Sequence, residues 1–258
     1  MDLGIEGLRV LVTAGAGGIG LETALAFAEE GARVHVCDVD DEALRSLETA
    51  HPAITRSRTD VADRDAVARL FDDATAALGG LDVLVNNAGI AGPTGRAEEI
   101  DPHDWDRTIA VCLTSQFNCA RVAIPLLKAS RNASIVNLSS AAGKFGFPLR
   151  SPYAAAKWGV IGFTKSLARE LGEFGIRVNA ILPGLVAGDR IRRVLEAKAQ
   201  QTGRSFAELE TLSLANSSIH DYVTARQLAD QIVFLASPRG RTISGQSISI
   251  DSDIQVLA

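Results

Sequence analysis

Short apolar runs alternate along almost the whole chain with segments whose apolar residues recur at helical spacing. The runs Leu8–Ala14, Arg33–Asp38, Ile54–Thr59, Leu81–Asn86, Ala133–Leu138, Ile176–Leu182 and Gln246–Ile250 predict strands. Between them the 3.6-residue period predicts helices over Gly18–Glu30, Asp41–Ala50 and Asp63–Leu78, with Gly31 and Gly79–Gly80 as stops. A longer helix opens at Asp101–Pro102 and is expected to reach Ala129. Another begins at Ser151, a suitable N-cap, with Pro152 at a first-turn position where a missing N–H costs nothing. Pro183 to Tyr222 is unlike the rest: a charged helical piece, Arg190–Gln200, precedes a capping box at Ser205 and Glu208. A second capping box, Thr224 with Gln227, starts a helix to about Ala236.

Strands that are apolar throughout, rather than alternating, are covered on both faces. Joined by right-handed helical crossovers they predict an α/β fold: a single-domain, Rossmann-like doubly wound parallel sheet of about seven strands with helices on both faces. No break in composition divides residues 1–258, and residues 185–222 form too long a connection for a simple crossover, so they are expected to be a substrate lid.

Composition narrows the function. A 47% hydrophobic content supplies a sizeable core and argues against disorder. A net charge of -5 offers no general attraction to nucleic acid or to an anionic membrane, so neither is expected as a partner. No uninterrupted apolar run approaches the ~18 residues of a membrane span, and the acidic start of the chain does not read as a signal peptide. Cys37, Cys112 and Cys119 have no metal-ligand spacing; no metal is expected, and a reducing, cytoplasmic setting is.

Two stretches carry chemistry. Thr13–Gly20 lies between the first strand and the first helix, and Gly15, Gly17 and Gly20 fit the dinucleotide fingerprint. Gly18 and Ile19 complete a helix N-terminus whose N–H groups suit a pyrophosphate. Asp38 ends the second strand 18 residues beyond Gly20, where a carboxylate accepts hydrogen bonds from a ribose and repels a 2′-phosphate; NAD is expected over NADP. The second stretch is Ser140–Lys157. Tyr153 and Lys157, four residues apart, share a helix face. An ammonium and a helix N-terminus both stabilise a phenolate, and Ser140 can hold a substrate oxygen within reach of it.

With these motifs in register, the chain resembles a short-chain dehydrogenase/reductase over nearly its whole length. The markers are the Thr13–Gly20 loop, Asp60, Asn86–Gly89, Ser140, Tyr153 with Lys157, and Pro183–Gly184. The resemblance implies hydride transfer between NAD and a secondary alcohol or ketone. In it Tyr153 is the acid/base, Ser140 polarises the substrate oxygen, and Lys157 holds the nicotinamide ribose while lowering the Tyr153 pKa. Asp60 and Val61 would border the adenine; Asn87, Ala88 and Gly89 would support the ribose side, with Asn86 structural. Pro183, Gly184 and Val186 would run beside the nicotinamide. A homotetramer assembled through the long helices and the C-terminal region is also implied.

Three departures qualify the resemblance. Ala14 replaces a usual glycine and is tolerable if its φ is negative. Cys112 stands where an asparagine usually supports a water relay to the lysine, and a thiol cannot replace an amide's hydrogen bonds. The catalytic set therefore includes Cys112 as an open position, a relaxed relay with activity kept or an impaired enzyme, and it keeps an NAD-binding scaffold or regulator as a rival reading. Gly188 replaces a Thr or Ser that often contacts the carboxamide. In the lid, Arg190 either pairs with a substrate carboxylate or phosphate or belongs to a solvated face bridged to Asp189 or Glu196. Phe145, Phe147 and Trp158 are candidate pocket residues, and a sugar, polyol or hydroxy acid is the expected substrate. NADPH-linked ketone reduction is the alternative within the same chemistry.

Overall fold

A computed structural model describes residues 2–257. Seven strands form one parallel sheet: β1 (Arg9–Thr13), β2 (Arg33–Asp38), β3 (Thr55–Arg58), β4 (Val83–Asn86), β5 (Ser134–Leu138), β6 (Arg177–Pro183) and β7 (Ser247–Ile250). Their order is β3-β2-β1-β4-β5-β6-β7. The order reverses between β1 and β4, so the crevice at their C-terminal ends is where such sheets hold ligands. Every residue of β4, β5 and β6 is buried, including the polar Asn86, Ser134, Asn137, Arg177 and Asn179 among their apolar residues, as strands covered on both faces require. The polar β3 is the exception and sits at the edge, where charged side chains discourage pairing with another chain.

On one face α1 (Gly18–Glu29), α2 (Asp41–Ala50) and, from the far end of the chain, α9 (Ala225–Ala236) cover the sheet. Phe27 on α1 is fully buried there, and its loss to alanine would cost about 3–5 kcal/mol. The other face carries α3 (Arg64–Leu78), α4 (Pro102–Ile109), α5 (Ser115–Leu127) and α6 (Ser151–Leu171). Asp40 and Asp63 cap α2 and α3 by accepting two backbone N–H bonds each. Both expected capping boxes form, opening α8 (Phe206–Ala215) and α9; α7 (Asp189–Thr202) precedes them.

Several local expectations are corrected. The helix expected from Asp101 to Ala129 ends at Leu127 and contains a π-helical turn over Ala110–Thr114, between α4 and α5. Taken whole, Pro102–Leu127 is long and apolar enough to cross a membrane, yet here it flanks the sheet, burying Cys119, Ala120 and Ala123 against the core. The N-cap of α6 is Arg150, not Ser151, and no side chain caps it. Ala14 does not keep negative φ: it lies at +50°, the left-handed region. The Asn87 amide donates to the carbonyls of Thr13 and Ala14 at 2.9 and 3.0 Å, which holds the loop there. Within the chain, the C-terminal segment folds back so that Ile254 and Leu257 bury against Phe145, Phe147, Tyr153 and Leu185. Trp158, a candidate pocket residue, is 53% exposed on α6.

Candidate active site

The glycine loop follows β1 and delivers the N-terminus of α1 to the crevice. Gly15 passes so close to β2 that a Cβ would lie 2.7 Å from Val36 side-chain atoms. At Gly20 a Cβ would lie 2.1 Å from the Ala14 carbonyl oxygen. Gly17 and Gly18 face open space, and Gly17 is a helix N-cap with no side chain to satisfy the first-turn N–H groups. Those donors remain for an anion, so the residues present fit a dinucleotide pyrophosphate. Asp38 accepts from the backbone N–H of Ala16 at 3.2 Å and from Val39 and Asp40 at 2.8 and 3.2 Å. Its carboxylate is thereby fixed beside the loop.

Asp60 and buried Val61 follow β3, and Asp60 pairs with Arg107 of α4 at 3.0 Å. The Thr13 hydroxyl accepts from the backbone of Asn87 and Ala88, both at 3.0 Å. Asn86 is buried and donates to Asn137, which donates to Thr164 of α6, a structural chain across β4, β5 and α6. Pro183 closes β6, and Gly184 sits against β7: a Cβ there would meet Asp251 Cα at 2.6 Å. Val186 bridges to Val223 at the base of the long excursion. Gly188 has φ +135° with ψ near 180°, a conformation open essentially to glycine alone, so a Thr or Ser would be strained there.

Ser140 leaves β5 and opens a short 3-10 turn, accepting from Ala142 N–H. Tyr153 lies in the first turn of α6 and Lys157 one turn on; the ammonium is 5.6 Å from the Tyr153 ring centre and donates to the Leu138 carbonyl at 2.7 Å. Gln116 donates to the same carbonyl at 3.2 Å. Cys112 is fully buried in the π turn, and its thiol donates to Ile90 O at 3.4 Å. Gly89 separates the two: its Cβ would lie 3.4 Å from Lys157 Nζ and 3.7 Å from Cys112 Sγ.

Burial alone raises the Tyr153 pKa. The cations of Arg190 and Lys157 and a hydrogen bond with Ser140 outweigh it, and the phenol is held below its ordinary value. A phenol with its pKa lowered in this way is better suited to exchange a proton with an oxygen held at Ser140. Arg190 donates to the carbonyls of Gly89 and Ile90 at 3.0 Å each and makes no ion pair among the described residues; the Glu196 carboxylate pairs with Arg192 instead. Arg150, Lys198 and Gln116 were not singled out from the sequence. The signal for Arg150 was a charged residue in the otherwise apolar approach to the Tyr153 helix.

A Rossmann-type sheet with a glycine loop and a Ser–Tyr–Lys set at its switch point defines a nucleotide-dependent oxidoreductase class. A family model described as enoyl-(acyl carrier protein) reductase matches residues 14–252, and the chain belongs to the short-chain dehydrogenase/reductase family. It is 36% identical to the 3-oxoacyl-acyl-carrier-protein reductase of Thermotoga maritima, covering 98% of this chain and 99% of that one. It is 38% identical to the cis-4-hydroxycyclohexanecarboxylate dehydrogenase of Sinomonas cyclohexanicum, over 93% and 94%. The structure of NAD+-bound xylitol dehydrogenase superposes with a TM-score of 0.90 at 26% identity, covering 95% of this chain and 98% of that one. The protein is thus an oxidoreductase acting on CH–OH groups with a nicotinamide cofactor.

Proposed function

We propose that the protein is an NAD-dependent dehydrogenase of a secondary alcohol, with Tyr153 as acid/base. The observation that carries the reading is the depressed phenol of Tyr153 between Lys157 and Ser140, beside a glycine loop tied to Asp38. In the oxidation direction Ser140 donates a hydrogen bond to the substrate oxygen and the Tyr153 phenolate takes its proton. Lys157 stabilises the phenolate by its charge and faces the ribose side near Gly89. A bound nicotinamide would supply the hydride acceptor for the carbinol carbon. Gly15, Gly17, Gly18, Ile19 and Gly20 would hold the pyrophosphate, Asp38 the adenosine ribose, and Asp60 and Val61 the adenine. Asn87, Ala88, Gly89, Pro183, Gly184 and Val186 would line the nicotinamide half. Residues 185–222 act as the lid.

NAD over NADP is supported by the Asp38 carboxylate and by Arg58, the cation paired in register with it, being engaged by Asp41 at 3.0 Å. Release of Arg58 toward a 2′-phosphate is the feature that favours the NADP reading. Exposed Trp105, Phe117 and Trp158 on α4, α5 and α6 support assembly into a tetramer through these helices. Three free, buried cysteines are in keeping with a reducing cytoplasm. The test is absorbance at 340 nm with NAD or NADP and a panel of alcohols, alongside cofactor dissociation constants. Turnover lost in Tyr153→Phe with cofactor binding retained supports the reading. NAD binding without turnover on any substrate favours a scaffold, and tighter NADP binding overturns the cofactor choice.

A further inference from the structure

Arg150 is 3% exposed, yet no carboxylate approaches it among the described residues. One Nη donates to the Ala91 carbonyl, while Nε and the other Nη are buried without a hydrogen-bond partner. Its guanidinium lies 5.1 Å from the Phe147 ring centre and 5.2 Å from that of Tyr153. The rings stabilise the faces of the cation and leave its N–H edge unspent. Buried charge without an acceptor is costly, and this cation is further crowded by others. Arg190 lies 5.8 Å from the Tyr153 ring, and Lys198 of α7, 9% exposed, lies 5.4 Å from the Phe147 ring. Neither forms an ion pair among the described residues. Burial and the neighbouring Arg150 both hold the Lys198 ammonium below its usual range. Three cations are thus gathered around Phe147 and Tyr153 with no carboxylate paired to any of them among the described residues, and the Tyr153 phenolate can offset only one.

We propose that Arg150, flanked by Arg190 and Lys198, forms an anion subsite for a substrate carboxylate, so that the substrate is a hydroxy acid and its oxidised partner a keto acid. This rests on the oxidoreductase reading for the position of the reacting carbon. The cleft between α7, α8 and the C-terminal segment, lined by Phe147, Leu185, Leu195, Lys198 and Leu257, measures only about 30 Å³. A volume of that size holds a single water. That cleft adjoins Lys198 but is not lined by Arg150, whose unpartnered Nε and Nη would meet a small planar carboxylate with charge-assisted hydrogen bonds.

Two measurements test this. Rates are compared for short 3-hydroxy carboxylates and for their methyl esters, in the wild type, Arg150→Met, Arg150→Lys and Lys198→Met. The acids should exceed the esters at least tenfold in kcat/KM, with the preference erased in Arg150→Met, partly kept in Arg150→Lys and weakened in Lys198→Met. Esters used as well as acids, or a hydroxyalkyl phosphate preferred to the carboxylate, would overturn it. Thermal unfolding with methylmalonate, and with malonamide as the neutral control, reads the subsite without turnover. A rise in midpoint with methylmalonate alone, lost in Arg150→Met and reduced in Lys198→Met, supports the subsite; an equal rise in all variants, or none in the wild type, sinks it. If no alcohol is oxidised at all, the oxidoreductase reading fails while this second measurement still decides the subsite. Circular dichroism checks that each variant is folded, and Lys198→Met on the outer helix serves should Arg150→Met not be.

Discussion

The Arg190 guanidinium stacks 5.8 Å from the centre of the Tyr153 ring and, ahead of Lys157, is the cation that does most to hold the phenol below its ordinary value. Alcohol oxidation needs the phenolate, so kcat/KM should rise with pH and level off above the depressed pKa. Arg190→Met should move the midpoint of that rise to higher pH and lower the rate at pH 7. A pH profile unchanged in Arg190→Met would remove Arg190 from this role.

Cys112 presents its thiol to Ile90 O rather than an amide to the neighbourhood of Lys157. Cys112→Asn should restore a donor and acceptor beside Gly89 and either raise kcat or shift its pH dependence. The larger polar side chain in a fully buried π turn should cost about 1–2 kcal/mol of stability, read by denaturant unfolding. Identical kinetics from pH 6 to 10 would assign the position to packing alone.

Ala14 at φ +50° carries left-handed strain of about 1–2 kcal/mol, and glycine relieves it while loosening the unfolded chain by about 0.4–1 kcal/mol. Ala14→Gly should therefore stabilise by roughly 0.5–1 kcal/mol. Gly20→Ala places a methyl against the Ala14 carbonyl and the Asn87 amide, and should destabilise by about 1–3 kcal/mol and weaken cofactor binding. Urea titrations with and without NAD separate the two effects.

Burial pushes the His35 pKa down to about 4, with Asp73 opposing it. The unfolded chain takes up this proton near pH 6.5, so stability is full above that pH and falls as pH drops toward 4. The loss should reach about 3 kcal/mol. His35→Asn should flatten this slope, although it also disturbs the hydrogen bonds to Thr55 and Ser57. Unfolding free energies at pH 7 and 4.5 provide the check.

The sequence by itself determined the sheet, its helices, the glycine loop with Asp38, and the Ser140–Tyr153–Lys157 set, because local periodicity, turn glycines and motif spacing are properties of neighbours along the chain. Cys112 and Gly188 were visible there as departures, but the π turn around the one and the glycine-only φ of the other were not. Only tertiary structure decided what depends on distant segments meeting: Asn87 forcing Ala14 into a left-handed turn, and Ile254 and Leu257 folding back onto Phe147. It also brought Arg190 and Lys198 of α7 to Arg150 and Tyr153 of α6. Charge and burial act through space, so a cation's partners, and therefore the pKa of Tyr153, are set by which elements pack together.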